Sequence, residues 1–387
     1  MSLRSRLIMA TAMAATISTV MPGFLVGAVA VQAIAEFGVS EARYGWGLGS
    51  FFLAAVVGSA ILGRAAQVAG PRRLVVAALL VSAVASLGIA LLPLGFGGFL
   101  ALLAIGGLAN SANQTAVNLL LTQARIERLG LAIALKQAGM PAASMLSGLM
   151  VPLVAVTLGW RVAYGIAAVI AGLTALAVVS VLDRPGPIER AVRPELVTPR
   201  RTLRVAAVGF GCLAVGAASL NAWTVLSAVA VGLSVSTAGL LLSGGAGSGV
   251  VVRLLIGFRL DTLRREPLRV AAVLTAVGAL GLLVVAIGTP AAVVLGTLLA
   301  FATGWVWPVL TNFAIVRSNQ AAAATATGIT QTGVYVGIVI GPLVTGLLIE
   351  TLGFSAMWIF VAAVMAVGVA IISRVRMQDW TNSNPIV

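Results

Sequence analysis

Histidine is absent from this chain of 387 residues, cysteine occurs once, and acidic side chains number only ten. Each shortage removes a class of chemistry. Without histidine there is neither a serine–histidine nucleophile pair nor a metal site of the usual ligand type. Cys212 alone can form no intrachain disulfide and no redox pair. The acids Glu36, Glu41, Glu127, Asp183, Glu189, Glu195, Asp261, Glu266, Glu350 and Asp379 fall in loops or at helix ends. That placement offers no paired carboxylates inside a span for an intramembrane protease. Catalysis, a metal centre and a resident cofactor are therefore not expected.

Charge of either sign is also scarce. Charged residues make up 9% of the chain, against roughly a quarter in soluble domains, and the mean hydropathy is +1.11. Lipid is the solvent for most of such a chain. A span needs roughly 20 apolar residues, and charge clusters with glycine or proline breaks delimit twelve: 7–34, 44–65, 73–93, 98–121, 130–157, 161–182, then 205–230, 237–258, 268–288, 290–315, 325–349 and 355–373. The first 33 residues imitate a secretory signal, with Arg4 and Arg6 ahead of an apolar run. That run is about twice the length of a signal core, so it is read as span 1.

The second six spans repeat the first six at a spacing of 194. Gly63 corresponds to Gly257, Asn118 to Asn312, Gln137 to Gln331, Gly139 to Gly333 and Gly159 to Gly353. The expected fold is an all-α membrane protein of twelve transmembrane helices in two pseudo-symmetric six-helix bundles, residues 1–182 and 205–373. A polar linker, 183–204, joins them and a tail, 374–387, follows. Duplicated membrane bundles are mostly transporters, with two halves able to rock about one central site.

A net charge of +14 could suggest nucleic acid, but the arginines are spread through short loops along the whole chain instead of forming one patch. Topology accounts for them better. With the N-terminus in the cytoplasm, 20 of the 24 basic residues fall inside and only Arg43 and Arg161 outside, as the positive-inside rule requires. Both termini are then cytoplasmic and the expected location is the inner membrane. Trp46, Trp160 and Trp358 would lie near the outer ends of spans, where an indole keeps its N–H wet.

The loop after span 2 reads GRAAQVAGPRR from Gly63 and the loop after span 8 reads GFRLDTLRRE from Gly257. These resemble the cytoplasmic signature of the major facilitator superfamily, and the twelve-span, six-plus-six plan extends the resemblance over the whole chain. The family pattern implies a charge latch closing the cytoplasmic side, carried here by Gly257, Asp261, Arg264 and Arg265. The first copy keeps Gly63, Arg72 and Arg73 but has Gln67 in place of the acid, so its latch should be weak. The family fold also implies that spans 1, 4, 7 and 10 line a central cavity and that span 5 faces span 8. Gln137, Gln331 and Tyr335, on the glycine-rich spans 5 and 11, are then candidate gate residues, with helix packing an equal explanation.

Two cations are expected inside spans, Lys136 in span 5 and Arg253 in span 8. A cation there costs about 2.5–3.5 kcal/mol on the translocon scale, and neither has an obvious acidic partner. If they face each other across the interface, an anion would supply the missing counter-charge, arginine gripping a carboxylate through parallel bonds and lysine acting as a point charge. The spacing of Arg253, Gly257 and Asp261 also resembles span 8 of oxalate and monocarboxylate transporters, which implies that Arg253 anchors substrate. Against this, Lys136 could snorkel to the cytoplasmic surface, and Arg253 could reach Asp261 or helix-end carbonyls.

Asn110, Gln114 and Asn118 form one helical stripe in span 4, suited to a cavity wall or to hydrogen bonding between helices. Asn221, Trp223, Trp305, Trp307 and Asn312 in spans 7 and 10 would complete the site. Trp305 and Trp307 lie about 200° apart on a helix, so one should line the cavity and the other pack. The expectation is a transporter moving a small organic anion by alternating access, as a monomer surrounded by lipid. Efflux of hydrophobic drugs, or passage of a neutral solute such as a sugar, is the alternative. A receptor or assembly subunit would leave two repeats around a charged interface unexplained.

Overall fold

In the computed structural model, residues 3–123, 129–181, 196–260, 262–263, 266–320 and 322–376 are described, at 3–5, 60–69, 122–123, 129–130 and 324 as backbone alone. Among them no strand occurs. Helix α1 (Leu3–Ala28) runs on after a break at Val29 into Ala30–Phe37. Then come α2 (Trp46–Ala69), α3 (Pro71–Leu91), α4 (Phe96–Gln123), α5 (Leu129–Met150, ending in a π-helical turn Val151–Ala155) and α6 (Trp160–Val181). The second half holds α7 (Arg200–Ala230), α8 (Val235–Leu260) and α9 (Pro267–Val285). Helix α10 is built of Pro290–Leu299, a π-helical turn Ala300–Gly304, and Trp307–Ser318.

The last helical stretch, Ala323–Arg374, is 52 residues long, about 78 Å at the helical rise, and is divided at Gly353 by φ 81° and ψ 175°. It is therefore two spans, α11 (323–352) and α12 (354–374). Ten helices among the described residues have the length and hydropathy to cross a membrane. Dividing the last of these and adding the 24-residue α2 gives twelve. Helix α7 begins at Arg200, inside the stretch read as linker, and residues 182–195 and 377–387 lie outside the described residues.

The repeat is written into the backbone. Left-handed glycines recur 194 residues apart, Gly38 (φ 62°) with Gly232 (φ 91°) and Gly159 (φ 93°) with Gly353 (φ 81°). A side chain at these positions would cost energy in the left-handed region. Helix contacts recur too: Gly139 of α5 abuts the Met13 carbonyl of α1, and Gly333 of α11 abuts the Ala207 carbonyl of α7. Small residues let these backbones touch, which drives association where lipid offers no hydrophobic gradient.

The halves meet along two kinds of seam. Helices α5 and α8 pack antiparallel over most of their length, Ala134 against Gly257, Pro141 against Gly249, Met145 against Gly247 and Gly148 against Ser243. Among the described residues, a further group of contacts gathers at the end opposite the chain termini. There Gly27 of α1 lies on the Asn221 carbonyl of α7, Gly45 on the Pro342 carbonyl, Gly49 on Leu343, and Gly346 on Glu41 and Ala42.

That end is fastened within the first half by an aromatic cluster of Phe37, Phe96, Phe99, Trp160 and Tyr164. Trp160 does not keep its indole N–H for water: it donates to Glu36 Oε2 at 2.6 Å, while Arg161 pairs with the other oxygen.

Candidate functional site

Helix α10 is bent where the site is built. Pro308 has no N–H, and Val309 donates to Val306 O at 3.2 Å, three residues back. The carbonyl of Trp305, which a regular α-helix would bond to residue 309, is left open to a side chain. Arg253 of α8 fills that role, its Nη2 donating to Trp305 O. The guanidinium also lies over the Trp305 ring, 4.8 Å from the centroid, a cation–π geometry. Arg253 is 1% exposed, and its Nε and Nη1 are buried with no hydrogen-bond partner. Two donor nitrogens of a buried cation are thus unspent, each an orphan costing about 1–3 kcal/mol.

The surroundings are aromatic and come from both halves. Phe24 of α1 meets Trp305 edge-on, centroids 5.7 Å apart at 86°, and Phe52 and Phe301 continue the wall. Pro141 of α5 approaches the same spot from the first half, against Gly249. Arg253 therefore sits on the plane between the halves, among rings, with no acid of the described residues paired to it. The described acids, Glu36, Glu41, Glu266 and Glu350, all lie at or near helix ends.

Lys136 is placed apart from Arg253. Ala134 and Pro141 give α5 its face toward α8, and Lys136 leaves the helix about 200° round from Ala134. Its Nζ donates to Asn118 Oδ1 of α4 at 2.7 Å. The two cations thus do not share one grip: each meets an oxygen of its own half.

The stripe on α4 points inward. Asn110 is 3% exposed and accepts from Thr19 of α1 at 3.3 Å, and Asn113 donates to the same hydroxyl at 3.1 Å. One turn on, Gln114 is half-buried, and a further turn on, Asn118 is exposed. The same interior face that is closed at Asn110 is open at Asn118.

In the second half the corresponding wall carries Asn312, Gln331 and Tyr335, all half-buried. Gln331 Nε2 reaches Asn312 Oδ1 at 3.5 Å, the long limit of a hydrogen bond. Gln137 is half-buried on α5. These amides lie on the stretches of α4, α5, α10 and α11 nearer the end that bears the termini.

Other expected site residues serve elsewhere. Trp223 is fully buried at the opposite end, its Nε1 on Thr345 Oγ1 at 2.8 Å, and Asn221 turns its amide onto Ala217 O. Trp307 stacks on Phe210 inside the second half, centroids 5.9 Å apart, so the two tryptophans of α10 do point to different neighbours. Gly257 lets α8 close on Ala134. Arg72 donates to Val179 O at 2.6 Å, capping the end of α6, and Arg73 is exposed. Gly63 lies within α2; Asp261, Arg264 and Arg265 lie outside the described residues.

Phe24, Phe52, Phe301 and the Trp305 carbonyl were not singled out in the sequence. Only Pro308, two residues after an intervening valine, signals that α10 bends there.

A family model described as Major Facilitator Superfamily matches residues 7–229 and again residues 206–384, so the two matches together span nearly the whole chain, one over each repeat. A search of curated proteins finds no match.

Proposed function

The chain belongs to the major facilitator superfamily, and is thus a multi-pass membrane transporter; from that premise we propose that its cargo is a small organic anion, a carboxylate, moved by alternating access. The observation that carries this reading is Arg253. A guanidinium 1% exposed, on the plane between the halves, keeps Nε and Nη1 without partners. A carboxylate would satisfy both donors and cancel the charge with charge-assisted bonds, which are about twice as strong as neutral ones. The rings of Trp305, Phe24 and Phe301 would exclude water and strengthen that attraction.

Movement follows from the seams. Contacts at the end opposite the termini hold the halves together there, while Asn118, toward the other end, is exposed. Both termini are cytoplasmic on this reading, in the inner membrane, so the conformation is inward-facing and its outer gate is the Gly27–Asn221 and Gly45–Pro342 contact. Residues 1–182 and 205–373 are the two rocking units, within one chain acting as a monomer. Gly63, Arg72, Arg73, Gly257, Asp261, Arg264 and Arg265 frame the cytoplasmic closure.

A neutral or apolar solute is the second reading, favoured by the aromatic wall and the amides of Asn312 and Gln331. Cationic drugs fit less well, since the buried charge at the interface is positive. A thermal-shift screen of the purified protein against small carboxylates, inorganic anions, sugars and cationic dyes separates the classes, because a ligand stabilises the state it binds. A carboxylate that raises the melting temperature of the wild type and not of Arg253→Gln supports the proposal. Stabilisation by a sugar or dye that survives the substitution overturns it.

A further inference from the structure

The two halves solve one structural problem with different chemistry. Between α10 and α11 the bridge is neutral, Gln331 to Asn312 at 3.5 Å. Between α4 and α5 the repeat-related asparagine, Asn118, is met by Lys136 at 2.7 Å. The residue that corresponds to Gln331 is Gln137, next to the lysine and half-buried. An amide therefore suffices to bridge this pair of helices, and one is present at the matching place in the first half. The lysine adds a charge that the bridge does not need, at a desolvation cost inside the membrane.

Residue type sharpens the point. Lys136 is the only lysine in the chain, every other cation being arginine. An ammonium is a compact, strongly hydrated charge with three rotatable donors, which can pass between acceptors where a guanidinium fork locks onto one. One donor is on Asn118 and no carboxylate among the described residues pairs with it. Its surroundings are open where those of Arg253 are closed: Asn118 is exposed, and Gln114, Lys136 and Gln137 are half-buried.

We propose that Lys136 and Asn118 form a second anion station in the vestibule at the end bearing the termini, where a carboxylate is held before or after its stay at Arg253. The proposal rests on the anion reading above and extends it. The anion displaces Asn118 as an acceptor of the ammonium. Two stations of unequal depth let an anion enter without falling into a single deep trap. Substitution of Lys136 should therefore slow capture and weaken discrimination by charge, while Arg253 decides whether transport occurs at all.

The test needs no knowledge of the natural substrate. In full-length protein with Cys212→Ser and Gln114→Cys, the thiol one turn deeper than Asn118 is modified by a methanethiosulfonate carrying either a sulfonate or a trimethylammonium group. The ratio of the two rates reads the local charge. Lys136→Gln, which installs the bridge the second half already uses, should lower the anionic-to-cationic ratio by about tenfold or more, since one charge acts on the two reagents in opposite senses. Lys136→Arg should keep the ratio.

Sodium acetate should slow the anionic reagent saturably, with sodium chloride at equal ionic strength as the control. This arm uses the native lysine and so does not depend on any Lys136 variant folding. A ratio that stays within twofold in Lys136→Gln, or acetate protection no stronger than that of chloride, overturns the proposal. The failure of the central reading looks different: anion-dependent stabilisation would survive Arg253→Gln, whatever the reagent ratio at the introduced thiol.

Discussion

Replacing Arg253 by glutamine should do little to the empty protein and remove its response to the anion. In the empty protein the substitution relieves two buried donors, Nε and Nη1, each costing about 1–3 kcal/mol. It loses the charged hydrogen bond to Trp305 O, about 1.5–3 kcal/mol, and the cation–π contact, about 0.5–2 kcal/mol. At the middle of these ranges about 4 kcal/mol is relieved and about 3.5 kcal/mol lost, so the expected net change is within about 2 kcal/mol. At roughly 2–4 °C per kcal/mol for a large domain, the melting temperature should move by less than about 8 °C in either direction.

With anion at a hundred times its Kd, the wild type should gain about 2.7 kcal/mol, which corresponds to a rise of roughly 5–11 °C. Removing one partner of a buried charge pair costs about 3–5 kcal/mol. Even the lower figure weakens binding by about 150-fold at 1.36 kcal/mol per decade. The same anion concentration then stabilises the variant by only about 0.3 kcal/mol, a shift near 1 °C. Differential scanning fluorimetry with and without the anion reads both quantities. A purely structural Arg253, tied to an acid, would give the opposite pattern: a loss of about 3–5 kcal/mol in the empty protein and an unchanged response to ligand. That result would refute the reasoning.

Two further outcomes are expected. A side chain at position 27 would collide with the Asn221 carbonyl at the closed end, so Gly27→Leu should shift the population toward states open there. A cysteine placed at Thr345, which is fully buried in this state, should then label about tenfold faster in a Cys212→Ser background, and an unchanged rate would remove this contact from the gate. Asn319→Ala deletes bonds to Thr198 N, Thr198 Oγ1 and Ile315 O at 2.9–3.1 Å. It should lower stability by about 2–3 kcal/mol in a thermal melt, because the chain leading into α7 loses its tie to the end of α10.

Much of the architecture was legible because lipid makes span length and loop charge explicit. The spacing of 194 gave the repeat, and Gly159 and Gly353 were in its register before their left-handed backbone was known. The isolation of Lys136 and Arg253 from acids was also readable, since an unpaired cation stands out in a chain of so few charges. What could not be read was direction around each helix. A span that is apolar on every side carries no periodic signal, so spacing alone could not show that Lys136 turns toward α4 while Arg253 turns toward α10.

The acceptor that Arg253 finds was hidden for a second reason. It is a backbone carbonyl, freed by a π-helical turn and a proline, and no residue type encodes it directly. Trp223 misled in a similar way: an indole in a lining helix suggests a ligand wall, but its height along α7 places it in the closed end, spent on Thr345. Phe24 escaped notice because a phenylalanine in an apolar span is ordinary until a partner from the other half stands against it.

Uptake into proteoliposomes tests the central claim most directly. Protein reconstituted alone should take up the radiolabelled carboxylate found in the thermal screen, saturably, and faster when the same carboxylate is preloaded inside, with Arg253→Gln reduced to the level of empty vesicles. Uptake of a sugar or a cationic dye that continues undiminished in Arg253→Gln, with no carboxylate moved by the wild type, would contradict the account.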